Sequence, residues 1–128
     1  MKEATHHVDA VRRVVDRWVE AFNSHNLEEM AALFAPDAVF QGFGPEPLVG
    51  REAVTDYYKA VPDYRRAVDV SVLHAYRVGE EVAGGFVAVT FRDPSEWEAR
   101  VYLSLVLQRA GNDWAIRQYH VSRVSDEH

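Results

Sequence analysis

The chain has 128 residues, of which 48% are hydrophobic and 12% aromatic, a composition that suits one globular domain with a real core and excludes a disordered chain. It contains no cysteine, which excludes a disulfide framework, a thiolate zinc site and a cysteine nucleophile. The formal net charge of -6 repels a phosphate backbone, so no nucleic-acid partner is expected, and no apolar run approaches the ~20 residues that span a bilayer.

The N-terminus, Met1-Lys2-Glu3-Ala4-Thr5-His6-His7, has no apolar signal region, and the expectation is a soluble, cytoplasmic protein without membrane association. From Thr5 to Asn23, Val8, Val11, Val15, Trp18 and Phe22 mark one stripe of a helix, with Thr5 as its N-cap. Asn26 with Glu29 three residues on reads as a capping box. The helix it opens shows Leu27, Met30, Leu33 and Phe34 on one face, and Pro36 stops it. Val39–Phe43 reads as a short strand, followed by the Gly/Pro loop Gly42–Pro47. Gly50 begins a third helix carrying Val54, Tyr57, Tyr58 and Val61, which Pro62 ends.

The second half reads as β. Val68, Val70, Val72, His74 and Tyr76 alternate with Asp69, Ser71, Leu73, Ala75 and Arg77. Gly79-Glu80-Glu81 makes a turn, Val82–Phe91 a long strand, and Arg92–Glu98 a polar loop. Ala99–Gln108 and Trp114–Val124 flank a tight turn at Gly111-Asn112. The segment Val101–Leu107 is apolar on both faces: period two sends Leu103, Leu105 and Leu107 one way, Tyr102 and Val106 the other. Three helices cover one face of a sheet and nothing else in the chain covers the second, so a homodimer through that face is expected.

Leu33–Phe43, Gly50–Tyr58 and Trp114–Ser122 resemble the nuclear-transport-factor-2-like superfamily, and the ending Trp114–Arg123 is similar to its SnoaL-like, SgcJ-like members. The resemblance covers about residues 8–124 and implies an α+β fold over 1–128: a cystatin-like cone with N-terminal helices on a curved, mostly antiparallel sheet. Ketosteroid isomerases and the association domain of calmodulin-dependent kinase II share that fold. The isomerase tyrosine falls on Trp18, its catalytic base on Gly42 and its second aspartate on Leu103, so steroid isomerisation by that mechanism is not expected. The association domain's pocket arginines fall on Ala88, Leu105 and Val121, and that chemistry is lost too.

What the resemblance leaves is an apolar, aromatic pocket. Its strand parity puts Phe86, Ala88 and Thr90 inward, together with Leu103, Leu105, Arg117, Tyr119 and Val121. Trp18, Phe22, Phe40, Tyr57 and Tyr58 close the helical side. Arg117 and Tyr119 are the polar candidates: a guanidinium for a carboxylate or enolate, and a phenol for a carbonyl. The alternative for Arg117 is a structural ion pair or a rim charge. His120 falls on the face opposite Tyr119, and His74, on a valine face, reads as a core histidine. Asp37 reads as a turn cap. His6 and His7 are adjacent and do not share a helix face. No metal spacing, phosphate loop or nucleophile elbow is present, so no metal or cofactor is expected. The expected function is small-molecule binding, or a cofactor-free cyclase, isomerase or dehydratase acting on a hydrophobic, oxygenated, polyketide-like ligand. A non-catalytic carrier and a dimeric assembly module are the alternatives.

Overall fold

The computed structural model describes residues 2–124, with side chains from His6 onward; Ser125-Asp126-Glu127, expected as solvated charge, lie outside the described residues. Helix α1 runs Lys2–Asn23, so Thr5 lies inside it and is not its N-cap. Its buried stripe is Val11, Val14, Val15, Trp18, Ala21 and Phe22, while Arg12, Arg13, Asp16, Arg17 and Glu20 face water. Burying each large apolar side chain contributes about 1.5–3 kcal/mol. Among the described residues no helix is long and apolar enough to cross a membrane.

Asn26 caps α2 (Leu27–Ala32) by accepting from the Glu29 amide at 3.1 Å. The helix ends earlier than its apolar pattern suggests. Strand β1 (Phe34–Gln41) starts at once, because the Leu33 carbonyl accepts from the Ile116 amide at 2.8 Å and Phe34 pairs with Ile116. Pro36 falls in the irregular stretch between Phe34 and Val39, where the ladder asks no donor of it. The short β2 (Leu48–Val49) leads into α3 (Arg51–Ala60). Gly50 caps that helix with φ 97°, a conformation that glycine adopts without steric cost.

Four long strands follow: β3 (Arg66–Gly79), β4 (Val82–Arg92), β5 (Glu98–Ala110) and β6 (Asp113–Arg123). The sheet order is β2-β1-β6-β5-β4-β3, and only β1 with β6 is parallel. Register shifts interrupt the β3–β4 ladder at three places, and Asp69 sits in the first with φ 50°. Such bulges bend a strand and increase its twist. One face of the curved sheet packs against the helices: Ala83, Val87, Val89 and Phe91 of β4, Leu103, Leu105 and Leu107 of β5, and Ile116 and Tyr119 of β6 are all buried. The other face carries Tyr76, Phe86, Tyr102 and Val106, with Tyr76 52% and Tyr102 38% exposed.

Two polar side chains fasten α1 to distant backbone. His7, expected only as half of an unlikely metal pair, is 2% exposed and donates from Nε2 to the carbonyls of Gly79 (2.8 Å) and Glu80 (2.9 Å). At the other end, Asn23 Nδ2 donates to the Ala67 carbonyl at 3.1 Å and its Oδ1 accepts from the Ala67 amide at 2.7 Å. The amide thus mimics one rung of a ladder where β3 begins. Asn23→Ala should strand both groups of buried Ala67 and cost about 1–3 kcal/mol in urea unfolding, with an unchanged denaturant slope. A loss within 0.3 kcal/mol of zero would show that water replaces the rung.

Candidate functional site

A cleft lies where α1, α3, β4 and β6 converge. Phe22 of α1, Tyr57 and Tyr58 of α3, Phe91 of β4, and Tyr119 and Val121 of β6 form its walls. Phe43, from the loop between β1 and β2, and Val61 and Arg65, after α3, form its rim. The envelope is about 280 Å³ including the open mouth, but the free volume inside is only about 10 Å³, space for a single water. Aromatic rings fill the rest. Phe40 stacks on Tyr119 at 4.5 Å and 10°, and Phe22 lies 5.1 Å from Phe91. Phe43, 40% exposed, touches Phe91 at 5.7 Å and Trp97 at 6.2 Å between ring centres, and so roofs the mouth.

The polar part of the cleft is phenolic. Trp18 Nε1 donates to the Tyr58 hydroxyl at 3.1 Å, and the Tyr58 and Tyr119 phenols face each other closely enough for each to affect the other's acidity. Burial pushes both phenols well above their ordinary value of 10.0. Tyr57 is also raised by burial; its hydroxyl accepts from the Phe43 amide at 2.9 Å, which ties the loop to α3. Gly42 makes that tie possible. A Cβ there would run into the Tyr57 hydroxyl and lie 2.9 Å from Cε2 of its ring. At the rim, Arg65 stacks its guanidinium 4.0 Å above Trp97 and reaches Asp93 Oδ2 at 3.5 Å. Asp93 also accepts from the Ser95 hydroxyl and from its amide at 3.2 Å; these bonds, with Arg65, hold its carboxyl below the usual range despite partial burial. Among the described residues no three His, Asp or Glu side chains converge as metal ligands would.

A family model described as the SnoaL-like domain matches residues 11–126. The chain belongs to the SnoaL-like family. Solved structures agree on the fold. A ketosteroid isomerase-like protein from Erwinia carotovora atroseptica SCRI1043 is 16% identical, with a TM-score of 0.80 over 93% of this chain and 97% of that one. A cystatin-like-fold protein from Caulobacter vibrioides is 17% identical, with a TM-score of 0.82 over 94% and 92% of the two chains. A nuclear-transport-factor-2-like protein from Pseudomonas putida KT2440 is 17% identical, with a TM-score of 0.81 over 93% and 87%. The comparison with curated proteins gave no match.

The SnoaL-like cone gathers only part of the residue set expected from sequence. Phe22, Tyr57, Tyr58, Tyr119 and Val121 line the cleft. Trp18, Leu103 and Leu105 sit behind Tyr119, around a separate void of about 10 Å³, and Phe40 is fully buried beneath it. Phe86 is on the wrong face. It pairs with Ser104 and its ring lies 5.1 Å from Tyr102, while Ala88 pairs with Tyr102 and Thr90 with Arg100. The inward set on β4 is Val87, Val89 and Phe91 instead. Arg117 does not reach the cleft. The β5–β6 ladder slips between Val106–Gln118 and Leu107–Ile116, leaving Arg117 as the extra residue of a bulge. Its guanidinium donates to the Asp37 carbonyl at 3.0 Å and pairs with the Asp37 carboxylate at 3.5 Å. His74 is exposed on the outer face opposite Phe86, not in the core, and His120 shares that face opposite Ser104.

Sequence reasoning missed Phe43, Val61, Arg65 and Phe91. Phe91 carried a signal, as the last apolar residue before a polar loop. Arg65 carried none, since it sits between a helix end and a strand start with no periodicity of its own. The raised phenols give a pH expectation. The folded chain keeps protons that the unfolded chain releases above about pH 10, so their contribution to stability is complete below pH 10 and falls as pH rises beyond it. Absorbance at 295 nm should show Tyr58 and Tyr119 ionising only together with loss of far-UV circular dichroism. Tyr58→Phe/Tyr119→Phe should flatten the alkaline slope of stability.

Proposed function

We propose that this SnoaL-like protein binds a hydrophobic, oxygenated, polyketide-like small molecule in the aromatic cleft and uses its two coupled phenols on a ligand carbonyl. The observation that carries this reading is the facing pair Tyr58 and Tyr119 on the inner wall of a largely aromatic cleft, with Trp18 donating to the Tyr58 hydroxyl from behind. Phenols held neutral by burial are donors at every physiological pH. In a cleft that excludes water, a positioned donor stabilises charge that develops on an enolate or alkoxide oxygen. That suits cofactor-free cyclisation, isomerisation or dehydration, where shape and one or two polar groups supply the catalysis. Ligand access requires Phe43 to swing out, because the free volume admits only water.

A carrier is the second reading, and one observation favours it. Among the described residues no carboxylate or histidine lines the cleft, and Asp93, beside Arg65 at its rim, is engaged by Ser95 and Arg65. Steroid isomerisation is disfavoured for a physical reason as well: Tyr57 occupies the space that an acidic side chain at Gly42 needs. Native mass spectrometry of the purified protein identifies a retained ligand, and its turnover separates enzyme from carrier. Tyr119→Phe should weaken a carbonyl ligand by about fivefold to tenfold, the worth of one neutral hydrogen bond. Unchanged affinity in Tyr58→Phe/Tyr119→Phe would refute the role of the phenols.

The exposed sheet face supports a homodimer as the working form. Phe86 and Tyr102 form its aromatic centre, with Tyr76 exposed on the same face. A second copy of the same face is the partner whose apolar surface matches it. Light scattering at micromolar concentration should give twice the 14.6 kDa chain mass, and Tyr102→Glu should shift it toward monomer or aggregate. A monodisperse wild-type monomer would remove this proposal.

A further inference from the structure

At the cleft mouth a cation is held without full satisfaction. Among the described residues, Arg65 is the one charged side chain that lines the cleft. Its side chain is 20% exposed, and its Nε is buried with no hydrogen-bond partner among the described residues. A donor buried without an acceptor costs free energy that its neighbours here do not return. The carboxylate beside it, Asp93 Oδ2, lies 3.5 Å from one terminal nitrogen, well beyond the 2.7–2.9 Å typical of a charge-assisted bond. The other oxygen of that carboxylate is taken by the Ser95 amide and hydroxyl. Trp97 holds the guanidinium flat by stacking at 4.0 Å, which fixes where its edge points without supplying an acceptor. Around the same mouth stand Phe43, Phe91 and Tyr57, rings that offer an apolar ligand body its contact surface.

We infer that Arg65 is the anchor for an acidic group of the ligand, so that the cleft takes an aromatic or polyene carboxylic acid, its apolar body between Phe43, Tyr57 and Phe91 and its carboxylate on the Arg65 guanidinium. This rests on the reading of the cleft as a small-molecule site. An incoming carboxylate satisfies the buried Nε and improves on a long internal ion pair. It brings a charge that the neutral phenols on the inner wall do not provide for, so the acidic end stays at the mouth and the oxygenated body reaches Tyr58 and Tyr119. Asp93 then acts as the internal competitor for the guanidinium, which gives the proposal a sign that a purely structural arginine lacks.

The test compares 2-naphthoate with its neutral isostere 2-naphthamide by isothermal titration at pH 7, with circular dichroism melting as the control of folding. Wild-type protein should bind naphthoate about tenfold more tightly than naphthamide, the preference expected of one charge-assisted contact. Arg65→Met should bring the ratio of the two affinities to about one, whatever the absolute affinity of naphthamide. Asp93→Asn keeps an acceptor for the Ser95 amide and should enlarge the preference. If Arg65→Met fails to fold, Arg65→Lys, which keeps the charge and loses Nε, should retain only part of the preference. Equal binding of the two probes by wild-type protein, or an acid preference that survives Arg65→Met, overturns the anchor while the cleft reading stands. Absence of binding by either probe overturns the cleft reading and the anchor with it.

Discussion

One phenolic oxygen ties this cone together. Tyr58 projects from α3, accepts a hydrogen bond from Trp18 of α1, and faces Tyr119 of β6. Three elements far apart in the chain therefore meet at a single buried polar point. A buried hydroxyl left without partners costs about 1–3 kcal/mol, so none of the three can drift without exposing the others to that loss. The depth of the cone follows. Trp18 cannot sink deeper than its bond to Tyr58 permits, and Phe40 stacks on a Tyr119 ring whose far end is already fixed. The same constraint gives the cleft a polar spot on its inner wall, surrounded by ring faces and edges. Shape selectivity and one donor site are what such a cleft offers a ligand.

The helices were legible because their chemistry is periodic. The α1 stripe from Val11 to Phe22, the Asn26 cap and the start of α3 after Gly50 each rest on a local rule, and each stands in the structure. The strands were legible as strands but not in their facing. β4 and the middle of β5 are apolar on both sides, so alternation of hydrophobicity cannot tell the core face from the outer one. On β5 and at Tyr119 and Val121, the parity implied by the family resemblance holds; on β4 it is inverted, and Val87, Val89 and Phe91 point inward where Phe86, Ala88 and Thr90 were expected. Arg117 failed for a different reason. Parity counting assumes an unbroken ladder, and one extra residue in β6 moves a side chain out of the count.

The two arginines illustrate what a sequence hides about charge. Arg117 was a polar candidate because the family's strand parity aimed it inward, with a structural ion pair as the alternative; it is the ion pair, with Asp37 at the surface, where such pairs add about 0–1 kcal/mol. Arg65 carried no sequence signal, yet the chain delivers it to the cleft rim with Trp97 beneath it and a carboxylate beside it. Both outcomes depend on contacts between segments remote in sequence. Gly42 and Tyr57 make the same point in neutral form: an unremarkable loop glycine is where a ring must pass.

The parallel pairing of β1 with β6 has a consequence in time. Asp37 and Arg117, which meet at that seam, are separated by 80 positions, and Phe40 lies directly beside Tyr119. Every antiparallel pair in the long hairpin stack can zip from its turn as the chain emerges, but this one cannot begin until the last strand has been made. Closing so large a loop comes late and slowly. During synthesis the three helices and the first strands therefore wait with Phe34, Phe40 and Tyr58 uncovered. That interval, before β6 arrives to cover them, is when the nascent polypeptide is most exposed to aggregation and most dependent on chaperones.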